Sequence, residues 1–315
     1  MVVFALGEAL RSGTHKAMIL EHLRREGIDD RRVAYYGRTR AASQFGSALA
    51  ALIGAAAVFW VGRYRVVFLA SMVPYVLGLL LMMSCYPKEL DGHLEGVGRS
   101  WRAVGRRVKE TVRMSAAALK AQLLVRGLLG SGLFDAVFRS TKDYLQPILQ
   151  AQALALPVLV SLGEDRRVAV VVGALFFVIH LATSFASSRA GWVQDRVASP
   201  SRAVNGMYLF GMGLLAVAGL SAWSGAEAGA IVAYLFLYVA QNLRRPMVVG
   251  YISERIDHRL MATGLSVETQ VRTVLTAILA PILGLLADRL GVGQAVLILG
   301  GAACLAYPFV RVRDG

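Results

Sequence analysis

Between Leu133 and Leu149 the sequence places Asp135, Arg139, Lys142, Asp143 and Gln146 in a stretch that is otherwise largely apolar. At about 100° per residue, Asp135, Arg139, Lys142 and Gln146 share one helical arc of roughly 60°, with Asp143 just outside it. Phe134, Val137, Phe138, Leu145 and Ile148 fill the remainder. Charges gathered on one face of an apolar helix point to a protein interior or an aqueous cavity rather than to lipid. Two chemistries fit. Asp135–Arg139 and Arg139–Asp143 are spaced as i,i+4 ion pairs that neutralise one another and permit burial. Alternatively Arg139 and Lys142 bind an anionic group, or one carboxylate accepts a coupling proton. The adjacent cations oppose protonation of Asp135 and Asp143, which favours substrate contact over proton relay for these two.

A second set lies near the start of the chain: Glu8, Arg11, Ser12, His15 and His22 fall on one helical face, with Glu8 and Arg11 spaced to pair. His15 has no partner by spacing, which leaves it as either a structural residue or a proton carrier. Gln241, Asn242, Arg244 and Arg245 form a third set beside Pro246, a potential kink, and the two arginines suit the inner boundary of a membrane. Glu268 and Arg272 make a further i,i+4 pair. The chain has no Walker-type phosphate loop, no His-Glu-x-x-His and no His/Cys/acid cluster at metal spacing, so neither an enzyme, a resident cofactor nor a metal is expected. An intramembrane enzyme working from the polar faces remains as a rival reading. Cys85 and Cys304 both fall in apolar segments and suggest no disulfide framework.

The elements that must hold these residues are long apolar helices. Of 315 residues, 56% are hydrophobic and only 17% charged, too little polar surface for a soluble domain of this size. Mostly apolar runs of about 20 residues, enough to span a bilayer as helix, occur near 1–20, 41–61, 66–86, 123–149, 168–188, 203–223, 228–248, 262–286 and 293–310. Short alternating segments of the membrane-barrel kind are not seen. The expected fold class is an all-α integral membrane protein with about nine transmembrane helices.

A net charge of +14 would suggest nucleic acid in a soluble protein. Here the Lys and Arg residues alternate between loops. They are dense at Arg24–Arg40, between Lys88 and Lys120, at Arg189–Arg202, near Arg255 and in the tail, and sparse in the loops between. By the positive-inside rule the dense loops and the C-terminus are cytoplasmic, and nucleic-acid binding is not expected. The boundaries that follow are a three-span bundle at 1–86, a basic linker at 87–122 and a six-span bundle at 123–315. Within the linker Trp101, Val104, Val108, Val112 and Leu119 form one stripe flanked by Arg102, Arg106, Lys109 and Arg113, which suits either a helix on the anionic inner leaflet or a solvated basic linker. Nine spans with a cytoplasmic C-terminus put Met1 outside, with no signal peptide before it. Each central charge in a first helix carrying Glu8, Arg11, His15 and Lys16 costs roughly 2.5–3.5 kcal/mol on insertion. One or three further spans upstream are therefore expected.

The two sides of the linker share a weak repeat. Leu10-Arg11, Glu21, Ile28-Asp29 and Arg31 parallel Leu243-Arg244, Glu254, Ile256-Asp257 and Arg259, and each set is followed by a small-residue helix, a short outer turn and a final apolar helix. On these grounds the chain resembles the major facilitator superfamily, aligned with the fourth to twelfth helices of that family. GEALRSGTHKAMILEHL is similar to the family's fourth helix, with Leu20-Glu21 where Tyr-Asp is often found. SRAGWVQDRVASPSR resembles its Gly-x-x-x-Asp-Arg cytoplasmic loop through Gly191, Asp195 and Arg196, although Ala198-Ser199-Pro200 replaces the usual ending; GLLADRLG, 284–291, is similar to the turn before its last helix. The resemblance implies a partial N-terminal half, a complete six-helix C-terminal half, a central cavity and alternating access. It implies a gradient-coupled secondary transporter for a small solute, with efflux as one option, a proton as the candidate coupling ion and Gly191, Asp195 and Arg196 as a gating loop. The alternative is a truncated, non-transporting membrane remnant or partner protein. Abundant Ala, Gly and Arg suit a bacterium of high genomic G+C, hence its cytoplasmic membrane.

Overall fold

The computed structural model describes residues 14–85, 109, 113, 122–155, 163–197, 199–256 and 261–314. Glu8, Arg11 and nearly all of the linker at 87–122, including its apolar stripe, lie outside the described residues. The described chain is built of helices: α1 (Thr14–Arg25), a 3-10 turn at Asp29–Arg31, α2 (Arg32–Val61), α3 (Arg65–Cys85), α4 (Gln122–Lys142), α5 (Leu145–Ala155), α6 (Glu164–Ser188), α7 (Ala190–Gln194), α8 (Pro200–Trp223), α9 (Glu227–Ser253), α10 (Met261–Leu290), α11 (Val292–Leu305) and α12 (Tyr307–Val310). Five are long and apolar enough to cross a membrane: Asp29–Val61, Arg65–Cys85, Glu164–Ser188, Pro200–Trp223 and Met261–Leu290. This is consistent with an all-α membrane protein.

The remaining expected spans differ for identifiable reasons. The segment at 123–149 is not one helix. It stops at Lys142, turns through Asp143 and Tyr144, and restarts as α5, so the polar arc is divided between two helices. The segment at 228–248 lies within the continuous α9, which bends around no break at Pro246 but carries Gln241, Asn242, Arg244 and Arg245. The final segment reaches only 14 apolar residues before a second short helix.

Local chemistry sets the ends. Gly62 caps α2 in the left-handed region at φ 73°, a conformation that glycine adopts without steric cost, and its N–H bonds to the Val58 carbonyl. At the head of α8, Ser199 accepts a bond from the Arg202 N–H while Pro200 occupies the first turn, where its missing N–H costs nothing.

Residue pairings show three neighbouring pairs running antiparallel, whereas α4 and α10 run parallel, Ser131 meeting Glu268 and Asp135 meeting Arg272. Ser184 and Thr183 of α6 bond to Ala41 and Gln44 of α2. Arg245 meets Ser131, and Tyr234 meets Thr141, across α9 and α4. Gly300 abuts Ala216 across α11 and α8. These orientations are those that alternating basic loops require. The core divides along the same line. One apolar cluster joins Leu20, Leu23, Val33, Ala190, Val204, Tyr251, Leu265 and Val312, all at basic-loop ends of helices. The other, around Phe134, Val137, Tyr208, Tyr234 and Val296, occupies the middle and far end.

Candidate functional site

Five helices bring their charges together in the interior. α9 presents Arg244 and Arg245 as neighbours, and both are buried, not at the bundle's rim as their place near a helix end suggested. Arg245 makes a two-pronged pair with Glu268 of α10, Nη1–Oε1 2.6 Å and Nη2–Oε2 2.7 Å. The same Nη1 lies 3.1 Å from Oδ2 of Asp135 on α4. Ser131, one turn earlier on α4, donates to Glu268 at 2.7 Å, and Gln241 donates to Asp135 at 2.7 Å. The fork of a guanidinium matches two carboxylates at once, which suits Arg rather than Lys at this centre.

Around this centre lie two more cations. Arg272 approaches Asp135 at 3.5 Å and Lys16 of α1 approaches Glu268 at 3.4 Å. Each keeps 13% of its side chain exposed, whereas both carboxylates are shut in. Arg40 of α2 donates its Nε to Asn242 at 3.1 Å. Arg244 turns the other way: it donates to the Gly130 carbonyl at 3.1 Å and lies 4.4 Å over the Phe134 ring, with Tyr208 at 5.7 Å. One arginine therefore meets carboxylates, and its neighbour, about 100° around the helix, meets aromatic faces.

This geometry corrects several expectations. Asp135 forms its ion pairs with Arg245 and Arg272, on other helices, in place of Arg139 four residues along. Asp143 pairs instead with its neighbour Lys142 at 2.6 Å, out at the turn. Glu268 likewise pairs with Arg245 and Lys16, while Arg272, its i,i+4 neighbour, serves Asp135. Arg139, Gln146 and His15 are exposed. Of the predicted residues, Asp135, Gln241 and Asn242 converge on the interior network, while Lys142, Asp143 and Gln146 sit at the α4–α5 break. The network's remaining members are Lys16, Ser131, Arg245, Glu268 and Arg272. Among them, Lys16 and Arg272 were visible as charges inside apolar segments, but their partners lie more than a hundred residues away.

A second polar seam joins α2 to α6 and α9. Gln44 accepts from Thr183 at 3.1 Å and meets His180 Nδ1 at 2.9 Å, Ser184 donates to the Ala41 carbonyl, and Ser187 donates to the Asn242 carbonyl. At the basic end Gly191 is buried so close to α2 that an added Cβ would lie 2.9 Å from the Ala34 Cβ. Asp195 ends α7, its N–H bonded to the Gly191 carbonyl at 2.9 Å, and Arg196 lies flat over Trp192 at 3.4 Å. No group of His, Cys, Asp and Glu among the described residues has the arrangement of a metal site. No protein-family model matches the chain, and comparison with curated proteins returns no match.

Proposed function

We propose that the chain is a secondary transporter of the major facilitator type, moving a small solute across the cytoplasmic membrane by alternating access. The observation that carries this reading is the interior charge network, which ties Lys16 of the N-terminal helices to Asp135, Arg245, Glu268 and Arg272 of the C-terminal ones. Charges so deep in an apolar helical protein are costly to bury and serve substrate or ion pathways. Their division between two parts of the chain lets occupancy of one site alter the contact between those parts. The packed basic ends fit a state closed toward the cytoplasm, with Gly191, Asp195 and Arg196 in the loop that would release on opening. The central carboxylates and the network's cations are the substrate or coupling residues. A bilayer is the implied environment, and a solute or proton gradient supplies the energy.

The test is flux of solute into proteoliposomes holding the full chain, with and without an imposed pH gradient, compared with Asp135→Asn. Gradient-driven flux that the variant loses supports the reading; equal flux in protein-free vesicles refutes it. A second reading, a non-transporting membrane partner, draws on α3, whose residues are exposed on every face. Co-purification of a stoichiometric membrane protein, lost on introducing Ser or Asn along α3, would favour it.

A further inference from the structure

Accounting for charge at the centre gives more than the identity of its pairs. Among the described residues, the side chains that converge there are five cations, Lys16, Arg40, Arg244, Arg245 and Arg272, and two carboxylates, Asp135 and Glu268. Arg245 is saturated by Glu268, Asp135 and Ser131. Arg244 is turned toward a carbonyl and two aromatic rings, away from the carboxylates, with its own Nε buried without a hydrogen-bond partner. The other three are not saturated. Arg272 reaches Asp135 only at 3.5 Å, and its Nε is buried without a partner. Among the described residues Lys16 holds a single hydrogen bond, at 3.4 Å to Glu268, and Arg40 spends itself on two neutral partners, the Asn242 amide and the Tyr36 side chain.

Surplus positive charge in a low-dielectric interior is costly unless an anion joins it. We infer that the substrate is a small organic anion, a carboxylate or phosphate, recognised by Lys16, Arg40 and Arg272. This rests on the transporter reading and deepens it. The planar fork of Arg272 and the mobile ammonium of Lys16 suit an anion with two or three oxygens. Two of the three donors, Lys16 and Arg40, come from α1 and α2, and the third from α10, so a bound anion neutralises charge on both sides of the N-terminal and C-terminal contact. Asp135 and Glu268 then hold Arg245 in place and repel an anion from the wall already neutralised.

The test is equilibrium binding to the purified full chain in lipid nanodiscs at low ionic strength, read by calorimetry. The probes are succinate, benzoate, inorganic phosphate and 3-phosphoglycerate, against succinamide, glycerol and ethylenediamine. At least one anion should bind while the neutral and cationic probes do not. Arg272→Gln and Lys16→Gln should each weaken it by about tenfold to a hundredfold, the value of one charge-assisted hydrogen bond, and Arg272→Lys should restore part of the loss. Should Arg272→Gln fail to fold, Arg40→Gln supplies the same comparison. Binding that neutral or cationic probes match, anion binding unchanged in the variants, or no anion binding at all overturns the inference. Anion binding without flux would sink the transporter reading alone, and flux of a neutral or cationic solute would sink the anion alone.

Discussion

Glu268→Gln removes half of the most completely buried ion pair in the protein. The carboxylate loses its charge toward two guanidinium nitrogens at 2.6 and 2.7 Å and toward Lys16 at 3.4 Å. Breaking a buried pair by removing one partner costs about 3–5 kcal/mol, because the remaining charge stays buried. Arg245 keeps Asp135 at 3.1 Å, so the loss belongs at the lower end, about 3 kcal/mol. Arg245→Gln leaves two carboxylates facing each other with only Lys16, Arg272, Ser131 and Gln241 beside them, and belongs at the upper end. Unfolding free energies in mixed micelles for both single variants and the double variant complete the cycle. The double variant should fall short of the sum of the singles by about 1–3 kcal/mol, as for residues in direct contact. Additivity within about 0.3 kcal/mol would refute the pairing and with it the account of the interior network.

Three further outcomes follow from the ends and seams of the bundle. Glu21, on the loop side of α1, is held at about 2, well below the usual carboxylate value, by the hydrogen bonds from Arg24 and Arg25. Its folded pKa lies below its unfolded one, so its stabilisation is complete above an unfolded value of about 4.5 and fades as pH falls toward 2. The melting midpoint of Glu21→Gln should fall well below wild type at pH 7 and by much less at pH 2.5; an equal deficit at both pH values would refute this. Asn205→Ala deletes both of its bonds to the Val312 backbone, at 2.8 and 3.0 Å, and tryptic cleavage at Arg311 and Arg313 should quicken severalfold. Gly191→Leu forces α7 away from Ala34 and should cost about 1–3 kcal/mol as an overpacked contact, read as a lower melting midpoint, whereas wild-type stability would show that the helices separate freely there.

Periodicity and loop charge made the helical class and the alternating direction of successive helices legible, because those depend on residues near one another in sequence. Lys16 and Arg272 were likewise marked by standing inside apolar runs. Their partners were not legible. The i,i+4 rule offered Arg139 to Asp135 and Arg272 to Glu268, and both carboxylates turned to Arg245, since a buried fork satisfies two acceptors while a surface pair gains little. The break at Asp143 also escaped periodicity. Its Lys142–Asp143 contact and the Tyr144 N–H to Thr141 carbonyl bond end the helix locally, while the apolar pattern runs on into α5 in nearly the same phase. Arg244 and Arg245 read as a boundary pair because adjacent arginines near a helix end usually are one; burial was decided by Phe134, Tyr208, Asp135 and Glu268, all on other helices.

Adjacent arginines with unlike partners also act as a torsional key. Turning α9 by one residue, about 100°, would carry the guanidinium of position 244 onto two carboxylates and swing that of position 245 away from them altogether. The helix is therefore indexed to a single angular setting against α4, α8 and α10, and those four move as one block if the protein changes shape. Shear is left to the lighter contacts, where Lys16 meets Glu268 and Arg32 meets Ser253 at 3.3 Å. Both are long contacts of a charged side chain, weak enough to be exchanged for water while the keyed block keeps its register.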